Sequence, residues 1–295
     1  MRKAVARLSA RNGLTVLELL TVVGILALLF ALLIPAVQQT RMAGLRIERA
    51  NWKKQRFLGE NTPRKLPIRI LFIGNSYTET NDLPGMLVDL AKSEGKVPEL
   101  IVDRHLVGGA TLKMHWDDGV AVQKIREGDW DFVVLQEQSQ TPLPQFGKTQ
   151  LFYPAARQFV REIRDREAIP MFYMTWARPD TPGPQSLWTT SYAAIAKELS
   201  AECAPAGMAM EKAKQGLPHR TFFQDAGGHP TPETTYLIAC VFYATIFDRT
   251  PEGLTNAVTT ATGTVTVPPS DAVAMQRYAW EALQEVKKLV RPEWR

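Results

Sequence analysis

The chain has 295 residues, of which 45% are hydrophobic and 22% are charged, and its formal net charge is +5. That charge is uneven: residues 1–56 hold ten Lys or Arg and two Asp or Glu, a net of +8, so the remaining 25 basic and 28 acidic residues give the rest a net of −3. Because the body is mildly acidic, the composition argues against a nucleic-acid partner. Two cysteines, Cys203 and Cys240, are too few for a disulfide scaffold and leave one bridge or two buried thiols as alternatives.

The N-terminal segment combines a basic leader with a long apolar run. Leu14 to Val37 is 24 residues, about 36 Å of helix at roughly 1.5 Å per residue, which is enough to span a bilayer. One acidic residue, Glu18, lies inside this run, where a charge is costly and therefore indicates a function. We predict a leader over residues 1–13, a transmembrane helix over residues 14–40, and a basic flank and linker over residues 41–67.

This arrangement resembles the type IV prepilin N-terminus, in which a basic leader is cleaved after a glycine and the fifth residue of the mature chain is a glutamate. The resemblance implies cleavage between Gly13 and Leu14 by a prepilin peptidase, self-association through Glu18, and a membrane-anchored body outside the cytoplasm. Two alternatives stay open. A plain signal anchor would share the apolar run but would not need Glu18, and a secretory signal would have a shorter apolar core followed by a small-x-small site.

From Ile68 onward the sequence alternates short apolar strands with helices. This pattern is typical of a parallel sheet covered on both faces, and such sheets form sites at the carboxyl ends of their strands. The predicted strands are 68–73, 99–103, 131–135, 170–174 and 207–210. The predicted helices are 83–94, 152–166, 191–202, 231–247 and 270–290, and residues 253–268 form either a hairpin or an extended excursion.

A serine and a histidine next to predicted strands and helices are candidates for a nucleophile and its base. Ser76 follows the first strand and would stand at a helix N-terminus, where free N–H groups favour an oxyanion. His229 lies in a loop directly before an apolar helix, with Asp225 upstream to hold its imidazole. Taken alone, Ser76 also fits a helix cap, and the loop also fits an ordinary polar connection. The other histidines, His105, His115 and His219, fit surface, packing or loop positions.

Together these segments resemble the SGNH, or GDSL-like, hydrolase family over roughly residues 68–250. Gly74-Asn75-Ser76 matches the first block with Asn in place of Asp, Gly108-Gly109 matches the second, and Asp225 to His229 match the last. The resemblance implies an α/β three-layer sandwich with a central parallel, flavodoxin-like sheet over residues 68–295. It also implies that Ser76 is the nucleophile, that His229 with Asp225 is its base, and that Gly109, or else Gly108, donates to the oxyanion.

Two departures from the family pattern bear on the site. The third block lacks its asparagine, and Leu135-Gln136-Glu137-Gln138-Ser139 stands in its place. Since a glutamine amide can donate the same hydrogen bond, we predict Gln136, or else Gln138, in the oxyanion hole. The other departure is that three residues separate Asp225 from His229, one more than is usual in the family. If the two glycines between them do not absorb the extra residue, Asp225 is only structural.

The sequence thus predicts a membrane-tethered serine esterase that needs no metal or cofactor. Short acyl groups on carbohydrate are the expected substrates, by analogy with the family and because Tyr77 and Trp176 should border the cleft, where an aromatic face can stack on a sugar. Tryptophan is equally an ordinary core residue. The alternatives are a thioester or phosphodiester hydrolase and, from another class, an inactive pilin-like structural or binding subunit.

Overall fold

The computed structural model describes residues 16–57 and 66–291, and the chain divides into two compact units, residues 1–52 and 53–295. Helix α1 spans Val16–Phe57, 42 residues. Within the part of the chain that the structure describes, none of the helices combines the length and the apolar character needed to cross a membrane. Gly13 and the rest of the predicted leader lie outside the described residues, and Glu18 lies in α1.

Helix α1 continues well beyond residue 40, where the predicted helix ends and the predicted linker begins. Residues 41–57 contain a single glycine, Gly44, and no proline, and they are rich in Arg and Lys. These residues have high helix propensity, so the change from apolar to polar composition does not end the helix. The predicted linker is therefore helical as far as Phe57, and residues 58–65 lie outside the described part.

The second unit is built on a five-stranded sheet. The strands are β1 (Ile68–Gly74), β2 (Leu100–Leu106), β3 (Phe132–Leu135), β4 (Ile169–Tyr173) and β5 (Glu202–Ala204). Their order is β2-β1-β3-β4-β5 and every neighbouring pair is parallel, which is the flavodoxin-like arrangement. The predicted α/β fold with a central parallel sheet is confirmed. Ile73 lies opposite Leu135, so the segments after β1 and β3 leave the sheet side by side.

Helices cover both faces of this sheet. They are α2 (Ser76–Glu79), α3 (Leu83–Glu94), α4 (Leu112–Asp117), α5 (Val120–Glu127), α6 (Tyr153–Asp165), α7 (Ser186–Glu198), α8 (Ala206–Gly216), α9 (Pro232–Phe247) and α10 (Pro269–Val290). On one face, the ring of Phe172 lies 6.0 Å from that of Phe152, which immediately precedes α6. On the other face, Phe72 and Tyr173 pack against Phe242 of α9, with ring centroids 5.5 and 5.0 Å apart. Successive strand residues point to opposite faces, and the result is three layers.

Two predicted elements near the end of the sheet are wrong. The segment predicted as a strand at 207–210 belongs to helix α8, and the fifth strand is Glu202–Ala204, where a helix end was predicted. The three-residue strand is too short to show a period, whereas the alanine- and methionine-rich segment after Pro205 favours a helix. The undecided segment 253–268 contains an antiparallel hairpin of β6 (Ala257–Thr260) and β7 (Gly263–Thr266).

Both cysteines are buried, free thiols. Cys203 lies in β5 and Cys240 in α9. Burial raises the pKa of the Cys240 thiol to about 12, and burial also raises the pKa of Cys203. Both are therefore protonated and unreactive at neutral pH, and of the two alternatives from the sequence the structure shows two thiols rather than one bridge.

Candidate active site

Ser76 is the first residue of α2, directly after the carboxyl end of β1. Asn75 caps this helix, and its Oδ1 accepts a hydrogen bond from the backbone N–H of Tyr77 at 3.1 Å. Gly74 is required before it because a Cβ there would lie 2.6 Å from Oε1 of Gln136. The chain leaves the sheet here between β1 and β3, at the topological switch point where doubly wound sheets bind ligands.

His229 and Asp225 meet Ser76 in a chain of hydrogen bonds. Nε2 of His229 lies 2.8 Å from Oγ of Ser76, and its Nδ1 lies 2.7 Å from Oδ2 of Asp225. The other carboxylate oxygen of Asp225 accepts from the backbone N–H of His229 at 3.2 Å. A carboxylate at Nδ1 holds the proton on that nitrogen and leaves Nε2 free to accept the hydroxyl proton. The arrangement has the geometry of a Ser–His–Asp triad.

A glycine turn absorbs the extra residue between Asp225 and His229. The N–H of Gly228 donates to the carbonyl of Asp225 at 3.2 Å, and Gly228 has a φ of +82°, a left-handed conformation that favours glycine. A Cβ on Gly228 would also lie 2.8 Å from the hydroxyl of Tyr77. The turn therefore brings the carboxylate of Asp225 to the imidazole despite the unusual spacing.

Two aromatic side chains hold this turn. The hydroxyl of Tyr77 donates to the carbonyl of Gly227 at 2.6 Å, and Nε1 of Trp176 donates to the carbonyl of Gly228 at 2.9 Å. The two rings are stacked, with centroids 4.8 Å apart. Trp176 is only 1% exposed. It therefore offers no face to a sugar ring, contrary to the prediction from sequence, and supports the turn instead, while Tyr77 borders the pocket.

His229 also controls the ionisation of Asp225. Desolvation raises the pKa of this carboxyl, but hydrogen bonds from the backbone N–H and the imidazole of His229 outweigh it and hold the pKa below its usual value. The side chain is 49% exposed, so water also solvates the charge. Asp225 is therefore ionised at neutral pH and can stabilise an imidazolium.

The turn after β2 carries a glycine to the pocket. The N–H of Ala110 donates to the carbonyl of Val107 at 3.0 Å, and Gly109, inside this turn, has a φ of +70°. Nδ2 of Asn75 fastens the turn by donating to the carbonyl of Ala110 at 3.0 Å. Gly109 lines the same pocket as Ser76, and Gly108 is not among the described lining residues. Of the two glycines predicted from sequence, Gly109 is the one placed to donate to an oxyanion.

Gln136 does not reach the pocket. Its side chain is fully buried, and Oε1 accepts from the N–H of Asn75 and the hydroxyl of Thr78, both at 2.9 Å. Its Nε2 donates to Oδ1 of Asn75 at 2.8 Å and to the carbonyl of Glu137 at 2.9 Å. Because the amide has two N–H donors and both are used, none is left for an oxyanion. The first choice from sequence is thus corrected: Gln136 ties the end of β3 to Asn75.

Gln138 borders the pocket instead. Its Oε1 accepts from the backbone N–H groups of Gln140 at 2.8 Å and Thr141 at 3.2 Å. These bonds fix which end of the amide is the oxygen, so Nε2 is a donor among residues that include Ser76 and Gly109. The alternative choice from sequence is therefore the glutamine with access to the pocket.

Between the two glutamines lies a buried carboxyl group, Glu137, to which the sequence analysis assigned no role. Its Oε1 accepts from the backbone N–H of Gln138 at 2.7 Å and of Leu112 at 3.2 Å. Burial raises its pKa to about 8, although these two hydrogen bonds lower it. The neutral form therefore predominates at pH 7. A carboxyl group at the end of a fully apolar strand is the sequence signal that could have identified it.

The pocket between these groups has a volume of about 130 Å³ and opens to solvent. Two further lining residues, Ser139 and Arg178, were not singled out from the sequence, although both follow the ends of predicted strands. The guanidinium of Arg178 donates to Asp180 through Nε at 2.9 Å. The pocket is small, and its open side gives a substrate access from solvent.

Comparisons with known proteins show the fold. No family model and no curated protein matches the sequence. Among solved structures, the chain is similar to a DUF4886 family protein from Bacteroides uniformis ATCC 8492, with 19% identity, a TM-score of 0.58, and coverage of 74% of this chain and 95% of that chain. At this identity the likeness establishes a shared fold alone.

Two weaker similarities are to a lipolytic protein and an esterase. One is a member of the lipolytic protein G-D-S-L family from Veillonella parvula DSM 2008, with 14% identity, a TM-score of 0.47, and coverage of 62% and 99% of the two chains. The other is an acetylxylan esterase from Geobacillus stearothermophilus, with 15% identity, a TM-score of 0.49, and coverage of 63% and 96%. Scores below 0.5 are too low to carry the activity of those proteins over to this chain.

Proposed function

We propose that this chain is a serine ester hydrolase whose nucleophile is Ser76. The observation that carries the proposal is the continuous hydrogen-bonded chain from Ser76 through His229 to Asp225, with contacts of 2.8 and 2.7 Å at an open pocket. Oγ of Ser76 attacks the ester carbonyl carbon as Nε2 of His229 takes the hydroxyl proton, and Asp225 stabilises the imidazolium. The imidazolium then protonates the departing alcohol. A water molecule deprotonated by His229 hydrolyses the acyl-enzyme and restores Ser76.

The carbonyl oxygen of the substrate becomes an anion in the tetrahedral intermediate and needs hydrogen-bond donors. We assign this role to the backbone N–H groups of Ser76 and Gly109 and to Nε2 of Gln138. All three residues line the pocket, and the oxygen of the Gln138 amide is occupied by backbone donors. Donors fixed in advance in this way cost no reorganisation when the charge develops, which is why they contribute strongly to catalysis.

The proposed substrates are esters of short acyl groups, with acetylated glycans as the favoured class. The pocket volume of about 130 Å³ supports a short acyl group. The carbohydrate part rests on the resemblance of the sequence motifs to SGNH hydrolases, because Tyr77 and Trp176 are only 4% and 1% exposed and the aromatic argument for a sugar site is lost. Assays of the purified protein with acetylated xylan, acetylated chitooligosaccharides and p-nitrophenyl esters of increasing chain length would rank these substrates.

The decisive test is the nucleophile. Purified full-length protein should hydrolyse p-nitrophenyl acetate, and Ser76→Ala should reduce the rate to that of the uncatalysed reaction while the melting temperature stays unchanged, because the hydroxyl faces the pocket. A fluorophosphonate probe should label the wild type at Ser76. Labelling at another residue would overturn the assignment. Neither hydrolysis nor labelling with any ester would favour the structural or binding subunit.

We also propose that the N-terminal segment anchors the catalytic body outside the cytoplasm after cleavage by a prepilin peptidase. The support is the sequence alone: the apolar run from Leu14, the preceding Gly13, and the single carboxylate of Glu18. Sequencing the amino terminus of the native protein should find Leu14 first. An intact Met1 would favour a plain anchor, and a start beyond residue 38 would favour a secretory signal.

Self-association through this segment has its own test. A carboxylate that meets a neighbour's amino terminus in a medium of low dielectric gains a charge partner. Glu18→Val should therefore lower self-association of the full-length protein in detergent or membranes without reducing membrane insertion. Association that is unchanged in Glu18→Val would limit the segment to a tether and leave the esterase proposal intact.

A further inference from the structure

Two histidines and an aspartate outside the proposed triad come together in the fold. His105 lies in β2, His115 in α4, and Asp118 directly after α4. Potential ligand atoms of the three side chains all lie within 4.8 Å of one another. Nε2 of His105 is 3.8 Å from Oδ2 of Asp118, and the two imidazole rings meet edge to face with centroids 5.0 Å apart. The cluster therefore joins the end of β2 to α4, the next helix along the chain.

The ring of His115 is fixed with one nitrogen left over. The side chain is fully buried, and Nε2 donates to the carbonyl of Gly74 at 2.8 Å. Nδ1 has no hydrogen-bond partner within the described residues. Because the hydrogen bond to Gly74 uses the N–H at Nε2, Nδ1 is the ring nitrogen left to offer a lone pair. An imidazole held by a backbone carbonyl at one nitrogen, with the other nitrogen free, is the arrangement that metal-binding histidines use.

His105 also has a ring nitrogen without a hydrogen-bond partner. Nε2 of His105 is buried and, among residues 16–57 and 66–291, likewise has no hydrogen-bond partner. The carboxylate of Asp118 stands at the solvent side of the pair, with its side chain 42% exposed. We propose that His105, His115 and Asp118 bind one divalent transition-metal cation of the Zn²⁺ type.

The distances suit such an ion after a small adjustment. Zn²⁺ binds imidazole nitrogen at about 2.0–2.1 Å and carboxylate oxygen at about 2.0–2.2 Å, so two ligand atoms on one ion lie within about 4 Å of each other. The pair formed by His105 and Asp118 already satisfies this at 3.8 Å. The potential ligand atoms of all three side chains lie within 4.8 Å of one another, so the widest gap exceeds this spacing by less than about 1 Å. Two imidazoles favour Zn²⁺ and related ions over Ca²⁺ and Mg²⁺, which prefer oxygen ligands.

The position of the cluster indicates a structural role for the ion. His105 precedes and His115 follows the turn that carries Gly109, so an ion bound by both closes that loop. His115 also contacts the carbonyl of Gly74, two residues before Ser76. The ion would therefore stabilise the part of the pocket wall that carries Gly109, without contacting substrate. Metal binding here is independent of the proposed ester hydrolysis and can be tested without an activity assay.

Calorimetric titration of metal-free full-length protein with ZnCl₂ tests the site. We expect one Zn²⁺ per chain and a higher melting temperature in its presence, since a ligand that binds only the folded state stabilises it. His105→Gln and Asp118→Asn should each weaken binding by at least the roughly 10–100-fold seen when an outer-shell partner of a metal ligand is lost. The two side chains are partly exposed to solvent, 17% for His105 and 42% for Asp118, so both variants should fold.

A matched control is His219→Gln, because His219 also contacts a carboxylate, with Nε2 3.1 Å from Asp271, but lies outside the cluster. This variant should bind Zn²⁺ as the wild type does. Titration with Co²⁺ adds a readout independent of stability, since the visible absorption of a bound cobalt ion should disappear in His105→Gln and Asp118→Asn. Absence of binding in the wild type, or binding that both cluster variants retain, would overturn the proposal. Equal loss in His219→Gln would overturn it as well.

Discussion

Two carboxyl groups lie next to the pocket, and their surroundings drive them to opposite protonation states. Asp225 is half exposed; although desolvation raises its pKa, the backbone N–H and imidazole of His229 hold the pKa below its usual value. Glu137 is fully buried, and burial raises its pKa to about 8. Asp and Glu have similar pKa values in water, so the environment accounts for the difference. Two titratable groups whose pKa values are shifted in opposite directions by their surroundings are common at catalytic sites.

The two groups can consequently do different things. The ionised Asp225 supplies a negative charge beside the imidazole, which stabilises the proton that His229 takes up. The neutral Glu137 supplies no charge, but its oxygen accepts the backbone N–H groups of Gln138 and Leu112 and so joins the end of β3 to the start of α4. Removal of the first group should reduce turnover, and removal of the second should alter stability and its dependence on pH.

Of the changes at these two carboxyl groups, Asp225→Asn should produce the larger loss of turnover. An asparagine at this position can donate to Nδ1 of His229 and so favours the wrong tautomer, in which Nε2 no longer accepts the Ser76 proton. A buried triad aspartate loses about 10⁴ in kcat on this change, and we expect a loss of about 10²–10⁴ because Asp225 is half exposed. The measurement is kcat for p-nitrophenyl acetate at pH 7.

Asp180→Asn is the matched control, since this carboxylate also lies near the pocket but pairs with Arg178. Its kcat should stay near that of the wild type. If Asp225→Asn also stays near the wild-type value, the catalytic unit is the pair of Ser76 and His229 and Asp225 is only structural.

Gln138→Ala should reduce kcat by about 10²–10³, the cost of removing one oxyanion donor. Gln138→Glu separates the two ends of the amide, because it keeps the oxygen that accepts from Gln140 and Thr141 and replaces only the N–H₂ donor. We expect at least the same loss from this change, since it also places a negative charge at the oxyanion. The measurement is kcat with KM, at a temperature well below unfolding.

Gln136→Ala sharpens the comparison, because it removes four buried hydrogen bonds around Asn75 and Glu137. Its main effect should be a lower melting temperature. A catalytic loss from Gln136→Ala at full stability, combined with a normal rate in Gln138→Ala, would return the oxyanion role to Gln136.

The sequence indicates the parts of the site that depend on where strands end. Ser76, His229 and Asp225 could be predicted because a parallel sheet places the segments after its strands at one edge, whatever the details of packing. The choice between Gln136 and Gln138 could not, because it depends on which way each side chain turns after Leu135. The side chain of Gln136 points into the core, and both ends of its amide form hydrogen bonds with Asn75, which is distant in sequence.

The burial of Trp176 and the protonation state of Glu137 could likewise not be predicted from sequence patterns. A residue just after a strand can face the cleft or the core, and only the packing of the turn at Gly227 and Gly228 decides this for Trp176. The protonation state of Glu137 depends on its fully enclosed surroundings, which no local pattern reports. The short strand β5 was missed because three residues show no period.

Glu137→Gln should change the pH dependence of stability. The folded-state pKa of about 8 lies above the ordinary value of 4.5, so between these pH values the folded protein holds a proton that the unfolded chain has released. The contribution of Glu137 to stability should therefore be fully present below about pH 4.5 and be lost as the pH rises to about 8, by roughly 5 kcal/mol at most, whereas Glu137→Gln should lack this decline. Urea unfolding at a series of pH values measures the difference.

Asp225 should affect the pH dependence of stability in the opposite direction, and Asp225→Asn tests this in the same experiment. The folded-state pKa of Asp225 is lowered, so any stability from this group is present above its unfolded pKa and is lost as the pH falls into the acid range. If the curves of the wild type and Glu137→Gln are parallel from pH 4.5 to 8, Glu137 is not held in its neutral form.

Tyr77→Phe should have the smallest effect on stability and turnover. It tests whether the hydrogen bond from Tyr77 to Gly227 positions the turn between Asp225 and His229. Burial raises the pKa of Tyr77 to about 12, so its hydroxyl remains a donor to the carbonyl of Gly227 at any working pH. Loss of this bond should cost about 0.5–1.5 kcal/mol, measured by urea unfolding, while the stack on Trp176 stays. Tyr153→Phe is the matched control, because that hydroxyl donates to the carbonyl of Ser191 at 2.8 Å, away from the pocket.

The two tyrosine variants separate local positioning from general stability. Both should lose a similar free energy of unfolding, but only Tyr77→Phe loosens the turn that carries Asp225 to His229, so only that variant should also lower kcat. Equal kcat values in the two variants would mean that the hydrogen bonds between Asp225 and His229 hold the imidazole without help from Tyr77. The ionised carboxylate of Asp225 would then both position the imidazole of His229 and stabilise its charge. On the other side of the pocket these two tasks are divided: the neutral carboxyl group of Glu137 positions Gln138, and the side-chain amide of Gln138 stabilises the oxyanion.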